Sequence, residues 1–253
     1  MKRTFFTLFS PILLLAACGT SGNNQGDDQT PGDSLSQDLI VQQLEGDSTI
    51  YGLACEGSND SIIVILTSID SDPDTIDILD ARINRRVFGR PDIGDQVAIT
   101  MDAERKVADI VINIDRLKGE WCYQVMPRLR RRASIAADSA VQLPANFPDS
   151  LRKKWFQPRE YGFEFRRDNA VRPIGMQRPE TERHPGPVEY PTLKRYRQWH
   201  IFNGHLLLSE TRRDTLGHQQ VINTDTADIV FLRRDTLLLR FTNHEQGYYR
   251  KSN

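Results

Sequence analysis

The sequence lacks the short motifs that identify many enzymes. It has no Gly-x-Ser-x-Gly, no P-loop and no dinucleotide-binding fingerprint. The five histidines are His184, His200, His205, His218 and His244. None of them occurs as His-x-His or His-Glu-x-x-His, the spacings that bring two imidazoles to one metal ion. We therefore expect a protein that is not an enzyme and that uses neither a metal ion nor another cofactor.

Neither sign of charge dominates the whole chain, because 33 Lys and Arg face 34 Asp and Glu. The distribution along the chain is uneven. Residues 47–116 carry 7 basic and 14 acidic side chains, whereas residues 117–253 carry 24 and 15. An acidic first half argues against nucleic-acid binding there, since phosphate neutralisation needs clustered Lys and Arg. The asymmetry indicates either docking partners, which the sequence does not identify, or two separately solvated surfaces.

Long apolar runs are also scarce, and the one at Phe5–Leu15 follows the positive pair Lys2-Arg3. It is too short to span a bilayer as a mature helix, so residues 1–17 are predicted as an export signal. The segment ends in Leu15-Ala-Ala-Cys18-Gly, which resembles the lipobox of bacterial lipoproteins. That resemblance implies acylation of Cys18 and a lipid anchor in the outer membrane. We expect the protein to face the periplasm, with the cell surface as the alternative.

Residues 18–46 are predicted as the flexible tether of this anchor. Residues 19–37 are rich in Gly, Ser, Asn, Gln and Asp, so they cannot bury enough apolar surface to offset the entropy of ordering. A random coil of this kind reaches on the order of 25 Å from the membrane.

Residues 47–116 are predicted as a small acidic β domain. The predicted strands are Ile50–Cys55, Ser61–Thr67, Thr75–Leu79, Gln96–Met101 and Val107–Ile114. Five short strands with Gly94-Asp95 before the fourth are similar to an OB-type barrel. The alternative is an open five-stranded sheet packed on the rest of the chain.

The strongest local signal in the second half is Asn203-Gly204 between two apolar-rich runs. A type I′ hairpin turn needs positive φ at both central residues, and Asn and Gly tolerate it best. The two-residue loop then pairs Phe202 with His205. Period-two alternation puts four large apolar residues on one face, which we predict to be the core face: Trp199, Ile201, Leu206 and Leu208.

Residues 117–253 read as a continuous antiparallel meander. Gly119-Glu-Trp121 at its start resembles the Gly-x-Trp signature of lipocalins, and Glu160–Ala170, Asn203-Gly204 and the closing Tyr248–Lys251 follow in the order seen in lipocalin-like domains of bacterial lipoproteins. The resemblance implies an up-and-down antiparallel barrel in which Trp121 packs under Arg250. Two insertions near residues 127–158 and 176–192 depart from the pattern, and they leave the shape of the barrel mouth open.

Two functions fit such a barrel, since eight strands can enclose either a ligand or only side chains. In the first, the protein is an envelope scaffold whose lumen is filled by large side chains: Trp121, Phe163, Phe165, Trp199, Phe231 and Phe241. In the second, it carries a small apolar or amphipathic ligand. The inward candidates for ligand contact are Trp121, Trp199, Ile201, Leu206 and Leu208. The supply of large inward residues favours the filled lumen.

Cysteine is rare, and only Cys55 and Cys122 remain beyond the anchor. An oxidising periplasm permits a disulfide between them, because a Cys122 that points away from the lumen could meet the first unit. The alternative is two separate thiols that merely pack.

The anchor is tested by the variant Cys18→Ala. We expect it to abolish labelling by a fatty-acid probe, because the Cys18 thiol is the only acyl acceptor that follows an apolar stretch. The matched control Cys55→Ala should keep the label. Equal labelling of Cys18→Ala and the unaltered protein would contradict the lipoprotein prediction.

Overall fold

The computed structural model describes residues 43–130, 147–175, 188–215 and 217–251. This part of the chain is mostly β, which confirms the predicted fold class. Its strands are β1 (Ile50–Ala54), β2 (Ile62–Leu66), β3 (Asp74–Asp77), β4 (Val87–Phe88), β5 (Gln96–Met101), β6 (Ala108–Asn113), β7 (Gly119–Val125), β8 (Arg128–Leu129), β9 (Arg159–Phe165), β10 (Val171–Ile174), β11 (Val188–Glu189), β12 (Gln198–Phe202), β13 (His205–Arg213), β14 (Gln219–Leu232), β15 (Thr236–Arg240) and β16 (Glu245–Arg250).

Its helices are short: α1 (Leu79–Ile83), α2 (Ile114–Leu117) and α3 (Asp149–Trp155). Within the described ranges, no helix has the length and apolar character that crossing a bilayer requires. The export signal, Cys18 and the tether up to residue 42 lie outside those ranges.

The first unit is an open six-stranded sheet with the order β3-β2-β1-β5-β6-β4. All five predicted strands are present, and the additional strand β4 pairs in parallel with β6. The end strands β3 and β4 do not pair with each other among the described residues, so the sheet does not close into a complete barrel. Of the two architectures considered from the sequence, the structure has the open sheet packed on the second unit.

The second unit is an eight-stranded antiparallel sheet with the order β10-β9-β7-β16-β15-β14-β13-β12. Strands β12 to β16 each pair with the next one along the chain, β16 returns to pair with β7, β7 pairs with β9, and β9 pairs with β10. The sheet curls so that β10 and β12 approach each other. A single bridge joins Ala170 to Gln198, beside a hydrogen bond of 2.8 Å from the Val171 amide to the Arg197 carbonyl. This is the up-and-down order that the resemblance to lipocalins implies.

The two insertions meet outside this sheet. Strand β8 from the first insertion pairs with β11 from the second, through Leu129 opposite Val188. Both insertions leave the barrel at the same end, after β7 and β10. The segment 133–143, considered as a helix from the sequence, lies outside the described residues.

The hairpin of β12 and β13 has the predicted turn and register. Asn203 and Gly204 have φ values of 48° and 82°, and Phe202 pairs with His205. The four residues predicted for the core face, Trp199, Ile201, Leu206 and Leu208, are all buried.

Phe231 does not fill the lumen as considered from the sequence. A bulge in β14 between Ile229 and Phe231 shifts the pairing with β15, so Ile229 and Leu232 point inward. Phe231 is turned outward and is 37% exposed, with the Arg233 guanidinium 5.0 Å from its ring centroid.

The larger core is continuous across the boundary near residue 117. One face of the first sheet contributes Tyr51, Ala98, Ile110 and Ile112 to the same buried cluster as the barrel residues Trp121, Trp199 and Leu206. The other face of the sheet builds a second core around Ile63, Val97 and Ile99. The first sheet thus covers one end of the barrel, which we call the closed end.

The tip of the β12–β13 hairpin is bound to the chain just before β1. The Asn203 amide donates to Asp47 Oδ1 and to Thr49 Oγ1, both at 3.0 Å. Asn203 Oδ1 accepts from the Ser48 amide at 2.8 Å and from the Ser48 hydroxyl at 2.7 Å. Gly204 lies against Ile110, whose Cδ1 would be 2.6 Å from a Cβ at this position. The turn therefore requires both residues for docking as well as for backbone conformation.

We expect Asn203→Gly to lower the free energy of unfolding by about 1–3 kcal/mol. Glycine keeps the positive φ, but the Ser48 amide and hydroxyl lose the Asn203 side-chain oxygen as their acceptor. Urea denaturation measures the change. Asn243→Gly serves as the control, since Asn243 is exposed, and it should change stability by less than about 0.5 kcal/mol. Equal effects of the two variants would show that the docking contact contributes no stability.

Candidate functional site

The closed half of the barrel is packed with side chains. Trp121, Trp199, Ile201, Leu206 and Leu208, the residues considered for ligand contact, are each at most 2% exposed. They belong to one buried cluster in which the Phe165 ring lies 5.3 Å from that of Trp199. None of the five lines the cavity described below. They form the floor of the barrel and have no surface that a ligand could reach.

A cavity of about 560 Å³ occupies the opposite end. Its walls come from β7, β9, β10, β14 and β16, from the connection between β15 and β16, and from residues 192–196 before β12. The insertions leave the barrel at this end, and exposed residues such as Asn243 and His244 form the rim. The barrel is thus filled at one end and hollow at the other.

Aromatic rings dominate the apolar part of the cavity. The rings that line it are those of Tyr123, Phe163, Tyr196, Phe241 and Tyr248. Tyr248 lies between two of them, with ring centroids 5.3 Å from Tyr123 and 4.9 Å from Phe163. At the rim, the Phe241 ring stacks on His244 with centroids 4.9 Å apart. These rings offer large apolar contacts, and the rest of the lining includes polar residues such as Thr192, Asn243 and Gln246.

One charged cluster interrupts the apolar wall. Asp225 pairs directly with the buried Leu208 in the β13–β14 register, so its side chain points to the interior. The Lys194 ammonium lies 2.7 and 2.6 Å from the two carboxylate oxygens, and the Tyr196 hydroxyl donates to Oδ2 at 2.5 Å. Both donors lie on the segment before β12, so Asp225 ties that segment to the wall of the barrel.

The protonation states follow from these contacts. Partial burial alone would raise the pKa of Asp225, but the hydrogen bonds from Lys194 and Tyr196 outweigh it and hold this pKa below its ordinary value. Burial, together with the hydrogen bond to Asp225, raises the pKa of Tyr196. Burial also raises the pKa of Tyr248, with the neighbouring Tyr123 adding to the effect. At neutral pH the cavity therefore carries neutral phenols and one fixed carboxylate.

Sequence reasoning missed these residues, although one signal for them was present. In β14, period two places Asp225 on the same face as Ala227 and Ile229, which are buried. A carboxylate in an inward position of a barrel strand is unusual because burying a charge is costly unless it is paired. Tyr196 and Lys194 gave no comparable signal, since they lie outside the strands.

The second site prediction concerned the closed end, and there the structure places Arg250 over Trp121. The two residues pair across β7 and β16, and the guanidinium lies 4.2 Å from the indole centroid. The same guanidinium donates to the carbonyls of Arg116, Lys118 and Arg234. Burial, followed by the nearby Arg116 charge, lowers the pKa of Arg250. This half-buried cation is held by carbonyl dipoles and a ring face.

The disulfide considered from the sequence is not formed, because Cys55 and Cys122 are both free thiols. Cys55 lies just after β1 in the first sheet. Cys122 is buried, and burial, followed by the charge of Glu160, raises the pKa of its thiol. Glu160 itself pairs with Lys251 at 2.8 Å. The outer face at Cys122 is thus lined by charged residues of the barrel itself.

His184 lies outside the described residues, and two of the other histidines contact polar side chains. Nδ1 of His205 lies 2.7 Å from Asp228 Oδ1, and Nδ1 of His200 lies 3.1 Å from Asn169 Nδ2. In the part of the chain that the structure describes, no group of three His, Cys, Asp or Glu side chains is arranged to hold a metal ion.

No protein-family model matches the chain, and neither the curated proteins nor the solved structures contain a significant match. The function must therefore be inferred from the geometry of the barrel itself.

We expect Arg250→Ala to lower the free energy of unfolding by about 2–4 kcal/mol, because it removes the cation over Trp121 and leaves the carbonyls of Arg116, Lys118 and Arg234 without their donor. Arg250→Lys should cost less, since it keeps the charge but loses the planar fork. Chemical denaturation measures both. The control Arg240→Ala removes an exposed ion pair with Glu245 and should cost less than about 1 kcal/mol. Equal losses for the alanine variants would contradict a special role for Arg250.

Proposed function

We propose that this protein is an acylated lipoprotein of the outer membrane, facing the periplasm, whose second unit binds a small amphipathic ligand without catalysing a reaction. The observation that carries the binding role is the cavity of about 560 Å³ at the open end of the barrel. Ligand sites in proteins are concave, mostly apolar spaces of about 300–1,000 Å³ with a few polar groups. The aromatic wall and the Asp225 cluster have this composition.

Three features support a ligand at the open end. The packed floor formed by Trp121, Trp199 and their neighbours gives the cavity a definite depth. The first sheet covers the closed end only, so the proposed anchor and the cavity mouth lie at opposite ends of the barrel. The wall is largely built on paired strands, which hold binding side chains more rigidly than loops do.

A second candidate function is that of an envelope scaffold. It is favoured by the packed closed half and by the core that continues into the first sheet. A scaffold needs no empty volume, whereas the open half contains one. We therefore place the scaffold role second.

The binding role is tested with a neutral apolar fluorophore added to the soluble form that lacks residues 1–18. Burying about 200 Å² of apolar probe surface would contribute about 5 kcal/mol before the entropy of association is counted. We expect saturable binding with a micromolar dissociation constant, read from probe emission. The scaffold alternative predicts no saturable binding.

A pair of variants locates the site on adjacent residues of β16. Tyr248→Leu removes a ring from the cavity wall, and we expect it to weaken binding about three- to tenfold. Tyr249→Leu changes the neighbouring tyrosine, whose hydroxyl faces Glu160 outside the barrel at 2.8 Å, and should leave the affinity unchanged. Circular dichroism checks that both variants keep the fold. Equal weakening by the two would place the probe outside the cavity.

A further inference from the structure

The head group of the ligand can be inferred from the charges of the cavity. Asp225 is the only carboxylate, and Lys194 the only lysine or arginine, among the described residues that line it. The two differ in how they are held. Asp225 belongs to β14, which is paired on the β13 side at this level. Lys194 lies on residues 191–197, which have no regular secondary structure, and its side chain is 52% exposed.

The negative charge is therefore fixed in the wall, whereas the positive charge is exchangeable. The segment that carries Lys194 is otherwise tied down by a hydrogen bond from the Arg195 amide to Glu210 and by one from the Arg197 amide to the Ser209 carbonyl. Neither of these bonds depends on the Lys194 side chain. The ammonium can consequently swing into solvent while the backbone of the segment stays in place.

The aromatic wall, like the Asp225 carboxylate, favours a positively charged ligand. The face of an aromatic ring carries partial negative charge and attracts cations. Five rings line the cavity, and Tyr196 also contacts Asp225 directly. An anionic head group would meet the ring-lined wall and the Asp225 carboxylate, with Lys194 as its one strong counter-charge. A cationic head group would be attracted by Asp225 and by the aromatic rings, and it would meet Lys194 as its one strong like charge.

We propose that the ligand is a cationic amphiphile, with an amine or quaternary ammonium that replaces the Lys194 ammonium at Asp225 and an apolar body that lies against Phe163 and Tyr248. This inference rests on the proposed binding function and names the class of ligand. A cationic ligand is not favoured by the overall charge of residues 117–253, where 24 basic side chains outnumber 15 acidic ones. A preference for cations would thus have to come from the cavity itself.

The test is a competition experiment on the soluble protein with the bound neutral fluorophore. The competitors share a dodecyl chain and differ in head group: dodecyltrimethylammonium, dodecanol and dodecanoate, each kept below its micellar concentration. We expect dodecyltrimethylammonium to displace the probe at about one-tenth of the concentration that dodecanol needs. Dodecanoate should be the weakest of the three.

Three variants assign the preference to the cluster. Asp225→Asn should remove the advantage of the trimethylammonium compound and leave displacement by dodecanol unchanged. Lys194→Met should lower the concentration of dodecyltrimethylammonium needed for displacement about three- to tenfold, because the Asp225 carboxylate no longer pairs with the Lys194 ammonium. The control Asp228→Asn changes a carboxylate on the same strand that pairs with His205 outside the cavity and should have no effect.

The outcomes separate this inference from the proposed function. If all three competitors displaced the probe at the same concentration, or dodecanoate did so at the lowest, the inference of a cationic ligand would be wrong and the binding role would stand. If Asp225→Asn weakened displacement by all three competitors equally, the cationic ligand would also be overturned, since the Asp225 carboxylate would then only maintain the structure of the cavity wall. A fluorophore that does not bind the unaltered protein would overturn both.

Discussion

The contact between the β12–β13 hairpin tip and the chain before β1 is the constraint on which the rest of the architecture depends. The Asn203 side-chain oxygen accepts hydrogen bonds from Ser48, and the Asn203 backbone amide donates to Asp47 and Thr49. Tyr51 adds a hydroxyl 2.8 Å from the Ile201 carbonyl. These bonds place one face of the first sheet over the end of the barrel. The apolar residues of that face and the barrel floor are then buried together.

The half-filled barrel follows from this arrangement. At the closed end, large side chains meet the first sheet and are buried with it in one cluster. The first sheet does not cover the open end, and there the inward positions of the described strands carry phenols and a carboxylate in addition to apolar groups. The polar inward residues satisfy one another in the free protein, as Lys194 and Tyr196 do at Asp225. Positions that break the local pattern of a fold are expected mainly where a protein binds or reacts.

The sequence predicts the parts of the fold that depend on local chemistry. The hairpin register follows from the conformation that Asn203-Gly204 adopts, and the alternation around Trp199 identifies the core face. A signal for the shared core was present but was not used: Val97-Ala-Ile99 and Ile110-Val-Ile112 are consecutive apolar runs, as expected for strands buried on both faces. The empty half could not be predicted, because it depends on how the curled strands divide the volume. Phe231 was misplaced because one bulge reverses the alternation.

The docked hairpin tip also bears on how this chain ages chemically. An Asn-Gly bond is the peptide linkage most prone to deamidation, because the glycine nitrogen can attack the carboxamide carbon of the asparagine and expel ammonia. In this fold the Asn203 carboxamide oxygen is held by Ser48, and its nitrogen lies 3.4 Å from the Gly46 carbonyl. Rotation of the side chain toward the Gly204 nitrogen would break these bonds. The interface between the two units therefore shields the most labile covalent site of the hairpin, and that protection lasts only while the units remain docked.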